Sequence, residues 1–78
     1  MYNTIHLIKK TKIMLDKNGN FLEVGQDVTV PDPNGSDTHM HSFIGYVNDI
    51  LEKRGTAIIE DQCSSFFEIE AERLVIRN

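Results

Sequence analysis

Phe43-Ile44-Gly45-Tyr46-Val47-Asn48-Asp49-Ile50 is the stretch that decides the fold, together with Gly55-Thr56-Ala57-Ile58-Ile59-Glu60-Asp61. Each stretch is a mainly apolar run of strand length with a glycine at or near its start. Only a short polar turn, residues 52–54, separates them, which predicts two antiparallel strands. A glycine inside a strand weakens it, so Gly45 predicts a bulge or a sharp bend.

Further strands are expected on both sides of this pair. Upstream, Val28 and Val30 alternate with polar residues, which is typical of a half-buried strand. Downstream, residues 65–70 and 74–76 also have strand character, and the segment between them suits a single helical turn. Near the N-terminus, Asn18-Gly19 predicts a tight turn because both residues tolerate a positive φ.

This order of elements predicts an all-β protein. We expect a small SH3-like barrel of five to six antiparallel strands, with one short helical turn before the last strand. The 78 residues leave no room for a second core, so residues 1–78 are expected to form one domain, with residues 1–10 as an N-terminal arm or edge strand. The residues expected to form the core are Val28, Val30, Val47, Ile59, Phe67, Ile69 and Leu74.

Three motifs carry a resemblance to SH3-like domains of the KOW and related bacterial types. They are Val24-Gly25-Gln26-Asp27-Val28, Gly45-Tyr46-Val47-Asn48-Asp49-Ile50 and Glu70-Ala71-Glu72-Arg73-Leu74. Most of residues 11–76 also resembles small phage and mobile-element proteins of gut Bacteroidetes, through D-x-N-G-x-x-x-x-V-G at 16–25, H-S-F-x-G at 41–45 and E-x-E-x-E-R-L at 68–74. The resemblance implies an SH3-like fold without catalytic residues, and KOW-type domains usually contact RNA or ribosome-associated proteins.

Composition narrows the possible classes of protein. Hydrophobic residues at 40% and charged residues at 26% are usual for a soluble globular domain. A single cysteine, Cys63, excludes an internal disulfide. No signal peptide and no apolar run near the roughly 18 residues of a membrane span are visible, so we expect a cytoplasmic, bacterial-type protein without a membrane partner. The net charge of −4 disfavours RNA, and more strongly duplex DNA, because both are bound through phosphates.

Asp37-Thr38-His39-Met40-His41 is the segment with metal-ligand character. In an extended chain Asp37, His39 and His41 project to one side, and a carboxylate with two imidazoles can bind zinc or another divalent ion. A structural zinc site needs four ligands, however, and only His6 or Cys63 is available to complete this one. The alternative is a polar loop in which one histidine bonds to the backbone. We therefore expect at most weak metal binding and no cofactor.

Alternation along the strands places several large apolar residues outside the predicted core. These outward residues are Ile44, Tyr46, Ile58 and Phe66. An exposed patch of this kind often marks a binding surface for a partner. Two alternatives remain, in which the N-terminal arm covers the patch of its own chain or of a second copy.

Residues 31–41 are a second candidate contact region, because they contain both prolines and few apolar residues that could anchor them. The sequence therefore predicts a non-catalytic interaction module, monomeric or weakly dimeric, that binds a protein through the 31–41 loop or the outer sheet. The alternatives are binding of RNA or another single-stranded nucleic acid, and weak divalent-metal binding at Asp37, His39 and His41.

Overall fold

The computed structural model describes residues 14–77, which form one antiparallel β-sheet. Its strands are β1 (Asp27–Val30), β2 (Phe43–Leu51), β3 (Thr56–Glu60), β4 (Phe66–Glu70) and β5 (Val75–Arg77). They lie side by side in the order β4-β3-β2-β1-β5. Two short 3-10 turns, Glu52–Arg54 and Ala71–Arg73, precede β3 and β5.

The predicted all-β class, the antiparallel strands and the helical turn before the last strand are confirmed. The predicted SH3-like barrel is not confirmed, because β4 and β5 lie at opposite ends of the strand order and do not pair. The described sheet is therefore open. The expected N-terminal arm at residues 1–10 lies outside the described residues.

The predicted turn at Asn18-Gly19 is present and closes a small hairpin. Leu15 and Phe21 form an isolated antiparallel bridge on either side of it. Gly19 has a φ of +82°, a conformation that is strained for residues with a Cβ atom. The backbone N–H of Leu22 donates to the carbonyl of Met14 at 2.8 Å, and both residues are buried in the core. The hairpin thus completes the core beside the sheet.

The bulge in β2 lies later than the sequence predicts. Val47 pairs with Ile59, but the next pair is Asp49 with Ile58, so the extra residue falls after Val47 and not at Gly45. The extra residue restores the inward direction of Ile50, which packs against the core. Gly45 serves a different purpose, because a Cβ atom there would lie 2.6 Å from the carbonyl oxygen of Glu60.

The predicted core is confirmed with one exception. Val28, Val30, Val47, Ile59, Ile69 and Leu74 are all fully buried. Phe67 is only partly buried and packs against the margin of the core, because it lies on the edge strand β4. It is beside the loop of residues 31–42, which joins β1 to β2 and is called the 31–42 loop below. Within residues 14–77 the core therefore occupies one face of the sheet, and the other face carries exposed side chains.

Candidate partner-binding surface

A continuous row of side chains crosses the outer face of the sheet. The strand register pairs Tyr46 of β2 with Asp27 of β1 and with Glu60 of β3, and it pairs Glu60 with Phe66 of β4. Asp27 in turn pairs with Arg77 of β5. Because directly paired residues share a face, all five strands contribute to this row. Two aromatic side chains, Tyr46 and Phe66, therefore flank one carboxylate.

Tyr46 is held in a defined orientation by its neighbours. Its hydroxyl donates a 2.5 Å hydrogen bond to Oε1 of Glu60, and Nδ2 of Asn48 donates to the same oxygen at 3.2 Å. The hydrogen bond to the Glu60 carboxylate raises the pKa of Tyr46, because it stabilises the protonated phenol. Tyr46 is 39% exposed even with these contacts, so it is an oriented and accessible aromatic residue.

The structure brings three of the four predicted surface residues to the outer face as exposed side chains. Phe66 is 56% exposed and Ile44, two residues before Tyr46 on β2, is 43% exposed. Ile58 points to the same face but is half-buried, and it pairs with Glu68 in the row next to Phe66. A shallow cleft of about 430 Å³ lies against Ile44 and Tyr46. The four residues thus share one face, and their binding of a partner stays a prediction.

The described part of the chain is more acidic than the whole. All twelve acidic residues fall within residues 14–77, whereas three of the eight basic residues, Lys9, Lys10 and Lys12, precede this range. Over the whole chain the formal net charge is −4. On the outer face the register places Asp27 and Glu60 on either side of Tyr46. The outer face therefore carries two carboxylates beside its central aromatic side chain.

The members of the predicted metal segment have separate surroundings. Asp37 forms an ion pair with Arg73 at 2.8 Å, and His39 is buried with Nε2 2.8 Å from the carbonyl oxygen of Pro31. His41 is exposed, with Nδ1 2.9 Å from the carbonyl oxygen of Ser42. Within residues 14–77, no three His, Cys, Asp or Glu side chains come together as a metal-binding group. Weak metal binding at Asp37, His39 and His41 stays a prediction.

His39 anchors the 31–42 loop through a hydrogen bond to the backbone, as in the polar-loop alternative of the sequence analysis, and through ring packing that the sequence does not predict. Its ring packs edge-on against Phe43 and Phe67, with ring centroids 5.5 and 5.8 Å away. Its Nε2 donates to the carbonyl of Pro31 and closes the loop, while its buried Nδ1 has no hydrogen-bond partner among residues 14–77. The loop has few apolar residues, as expected, and the His39 ring supplies its contact with Phe43 and Phe67. Phe43, four residues after His39, is the only local signal of this cluster.

Arg73 provides a second attachment for the same loop. It pairs with Asp37 and Glu70, and its Nη2 donates to the carbonyl of Asp32 at 3.2 Å. Burial alone raises the pKa of Asp37, but hydrogen bonds from Asn34 and Arg73 outweigh this effect and place the pKa below its usual value. The loop is therefore held in a fixed position beside β4.

Comparison of the chain with protein-family models, curated proteins and solved structures finds no match. No helix within residues 14–77 is long and apolar enough to cross a membrane. The described sheet and its exposed residues are therefore the basis for inferring a function.

Proposed function

We propose that this chain is a non-catalytic interaction module that binds a protein partner through the outer face of its sheet. The observation that carries the proposal is the Tyr46–Glu60–Phe66 row, in which two exposed aromatic side chains lie on strands two apart and share one face. Aromatic residues of this kind are common among the few that dominate binding energy in protein interfaces. Ile44 and Ile58 extend the apolar surface on the same face.

A protein partner is favoured over nucleic acid by the net charge of −4 of the chain and by the carboxylates of the outer face. Affinity for RNA or single-stranded DNA depends on clustered lysine and arginine that displace counterions from phosphates. The outer-face row contains two carboxylates, Asp27 and Glu60, and one cation, Arg77. Aromatic stacking on bases would have to overcome this repulsion. A partner with exposed basic side chains fits the same surface without that penalty.

The outer face is also favoured over the 31–41 loop as the binding surface. Met40 is 86% exposed and is the one large apolar side chain that the loop presents to solvent. His39 and Asp37 instead face the body of the protein, where they hold the loop in place. The loop thus supplies one apolar contact, whereas the outer face supplies several neighbouring ones.

The proposal includes an SH3-like fold and a cytoplasmic location. The SH3-like description is supported by the order β4-β3-β2-β1-β5, with a 3-10 turn directly before β5. The cytoplasmic location is supported by the single cysteine, which is free and exposed, since proteins of oxidising compartments often carry paired cysteines.

The proposal is tested by capture of partners from the organism that carries the gene. We expect the wild-type chain to enrich a protein that survives nuclease treatment. The double variant Tyr46→Ala/Phe66→Ala should lose it, because truncating central aromatic residues typically costs about 2 kcal/mol or more each. Met40→Ala is the matched control, since it removes an exposed apolar side chain from the loop. If the double variant still captures the partner and Met40→Ala does not, the binding site lies on the loop. If nuclease treatment abolishes the enrichment, the partner is nucleic acid.

A further inference from the structure

Strand β4 lies at an edge of the sheet, and within residues 14–77 it pairs only with β3. Just beyond the ends of β3 and β4, the N–H of Asp61 donates to the carbonyl of Ser65 at 2.9 Å. This bond shows which residues along β4 direct their backbone groups toward β3. In an antiparallel ladder every second residue bonds to the neighbouring strand. The backbone groups of Phe67 therefore face β3, and those of Phe66 and Glu68 face away from the sheet. An open row of this kind is a template for another strand.

A cleft of about 410 Å³ follows this edge. It is lined by Phe67 and Ile69 from the inner face of β4 and by Glu68 and Glu70 from the outer face. Lining residues from both faces place the cleft along the edge of the strand and not on one face. Residues 36–38 of the loop form the opposite wall. Because His39 and Arg73 hold that loop, the cleft has a fixed second side.

The charges at this edge distinguish between possible occupants. If a second copy paired antiparallel about Glu68, each Glu68 would lie directly opposite its counterpart, which is destabilising. Two chains that each carry a formal net charge of −4 would also repel each other. A segment with lysine or arginine opposite Glu68 would instead form a stabilising pair of opposite charges. Oε2 of Glu68 already accepts from Arg54 and from Oγ1 of Thr56. The Arg54 side chain is 67% exposed, so solvent weakens that ion pair, and an incoming cation can bond to Oε1 of the same carboxylate.

We propose that the partner contributes an extended, basic segment that adds to β4 as a further strand. This inference rests on the proposed function, because the partner is the protein that covers Tyr46 and Phe66. Side chains of an added strand that share the outer face meet Phe66 and Glu68, which are two residues apart. The segment therefore carries an apolar residue and a lysine or arginine at positions i and i+2, and its alternate side chains enter the cleft beside Phe67.

The inference is tested on the full chain, labelled with ¹⁵N, with the peptide acetyl-Ile-Thr-Lys-Val-Lys-Thr-Ile-amide as the probe. Its apolar and basic positions read the same in both directions, so it fits a parallel or an antiparallel strand. At about 1 mM peptide, we expect shifts and slower hydrogen exchange of the Phe66 and Glu68 amides. The same peptide with Glu for both Lys, or with Pro for Val, should lose this effect. Glu68→Lys in the protein should lose it too, whereas Glu72→Lys, at an exposed residue outside the cleft, should retain it.

Three results would overturn the inference. Slow exchange of the Phe66 and Glu68 amides without peptide would show that the edge is already covered. Absence of peptide binding would show that the edge does not accept a basic strand. Shifts confined to Ile44 and Tyr46 would place the peptide on the sheet face alone, in which case the proposed function would stand and the added strand would not. Capture of a partner that is insensitive to Tyr46→Ala/Phe66→Ala contradicts the proposed function separately.

Discussion

The carboxylate of Asp16 accepts a hydrogen bond from the backbone N–H of Ile76, sixty residues away in the chain, at 2.9 Å. Its other oxygen accepts from the N–H groups of Asn18 and Asn20. Asp16 is buried, so these donors have little access to water if the carboxylate is lost. One side chain therefore closes the N-terminal hairpin and attaches it to the outer edge of β5.

Replacing this carboxylate should destabilise the fold. We expect Asp16→Ala to lower the free energy of unfolding by about 1–3 kcal/mol, because it leaves buried N–H groups without an acceptor. Urea unfolding followed by circular dichroism measures the change. Glu23→Ala is the control, since its side chain is exposed and we expect a change within about 0.5 kcal/mol. Equal stability of Asp16→Ala and the wild type would show that the hairpin is not held by Asp16.

The same residue should make stability depend on pH. Burial raises the pKa of Asp16, but the hydrogen bonds from Ile76, Asn20 and Asn18 outweigh this and hold the pKa below its usual value. A carboxylate whose folded-state pKa is lowered stabilises the protein above the unfolded-state pKa of about 3.9, and this stabilisation is lost as the pH falls through the folded-state value. We expect unfolding free energy to fall from pH 5 toward pH 3, and less steeply in Asp16→Asn. Identical slopes in the two proteins would contradict this account.

Neighbouring isoleucines on β3 provide a matched test of which face is the core. Ile59 is fully buried and Ile58 is half-buried on the outer face. We expect Ile59→Ala to lower the unfolding free energy by about 2–5 kcal/mol, because the surrounding core cannot fill the cavity. Ile58→Ala should have a clearly smaller effect. Equal effects, measured by urea unfolding, would show that the two faces of β3 are wrongly assigned.

The contacts of His39 predict how the 31–42 loop behaves. Replacing His39 by alanine removes the packing against Phe43 and Phe67 and the hydrogen bond to Pro31. We expect amide exchange at residues 34–38 to become faster in His39→Ala, since local opening costs less when fewer contacts hold a loop. His41→Ala should leave the exchange rates unchanged, because its ring is exposed. Faster exchange in both variants, or in neither, would mean that the loop is held by other contacts.

The strands and most of the core were predictable because their signals are local. Val28, Val47 and Ile59 stand in alternating or continuous apolar runs, and alternation alone assigns a face. The position of the bulge was not predictable, because it depends on how β2 pairs with β3 and not on either strand alone. Likewise, His39 meets Phe67 only after the chain folds, across 28 residues of sequence.

The outer-face site was predictable in its residues but not in its details. Alternation placed Ile44, Tyr46 and Phe66 on one face, as the structure shows. The hydrogen bond between Tyr46 and Glu60 depends on the register between β2 and β3, which turn length and composition do not determine when a bulge intervenes. The open edge of β4 follows from the order of strands in the sheet, which pairwise hairpin signals do not specify.

The most direct test of the central claim is photo-crosslinking in cells that carry the gene. A benzoylphenylalanine placed at Phe66, which is exposed and aromatic, changes the surface little, and the same residue at Met40 probes the loop. We predict a protein adduct from position 66, weakened by Tyr46→Ala on the same face. Adducts from position 40 with none from position 66, or adducts with nucleic acid alone, would contradict binding of a protein partner through the outer sheet.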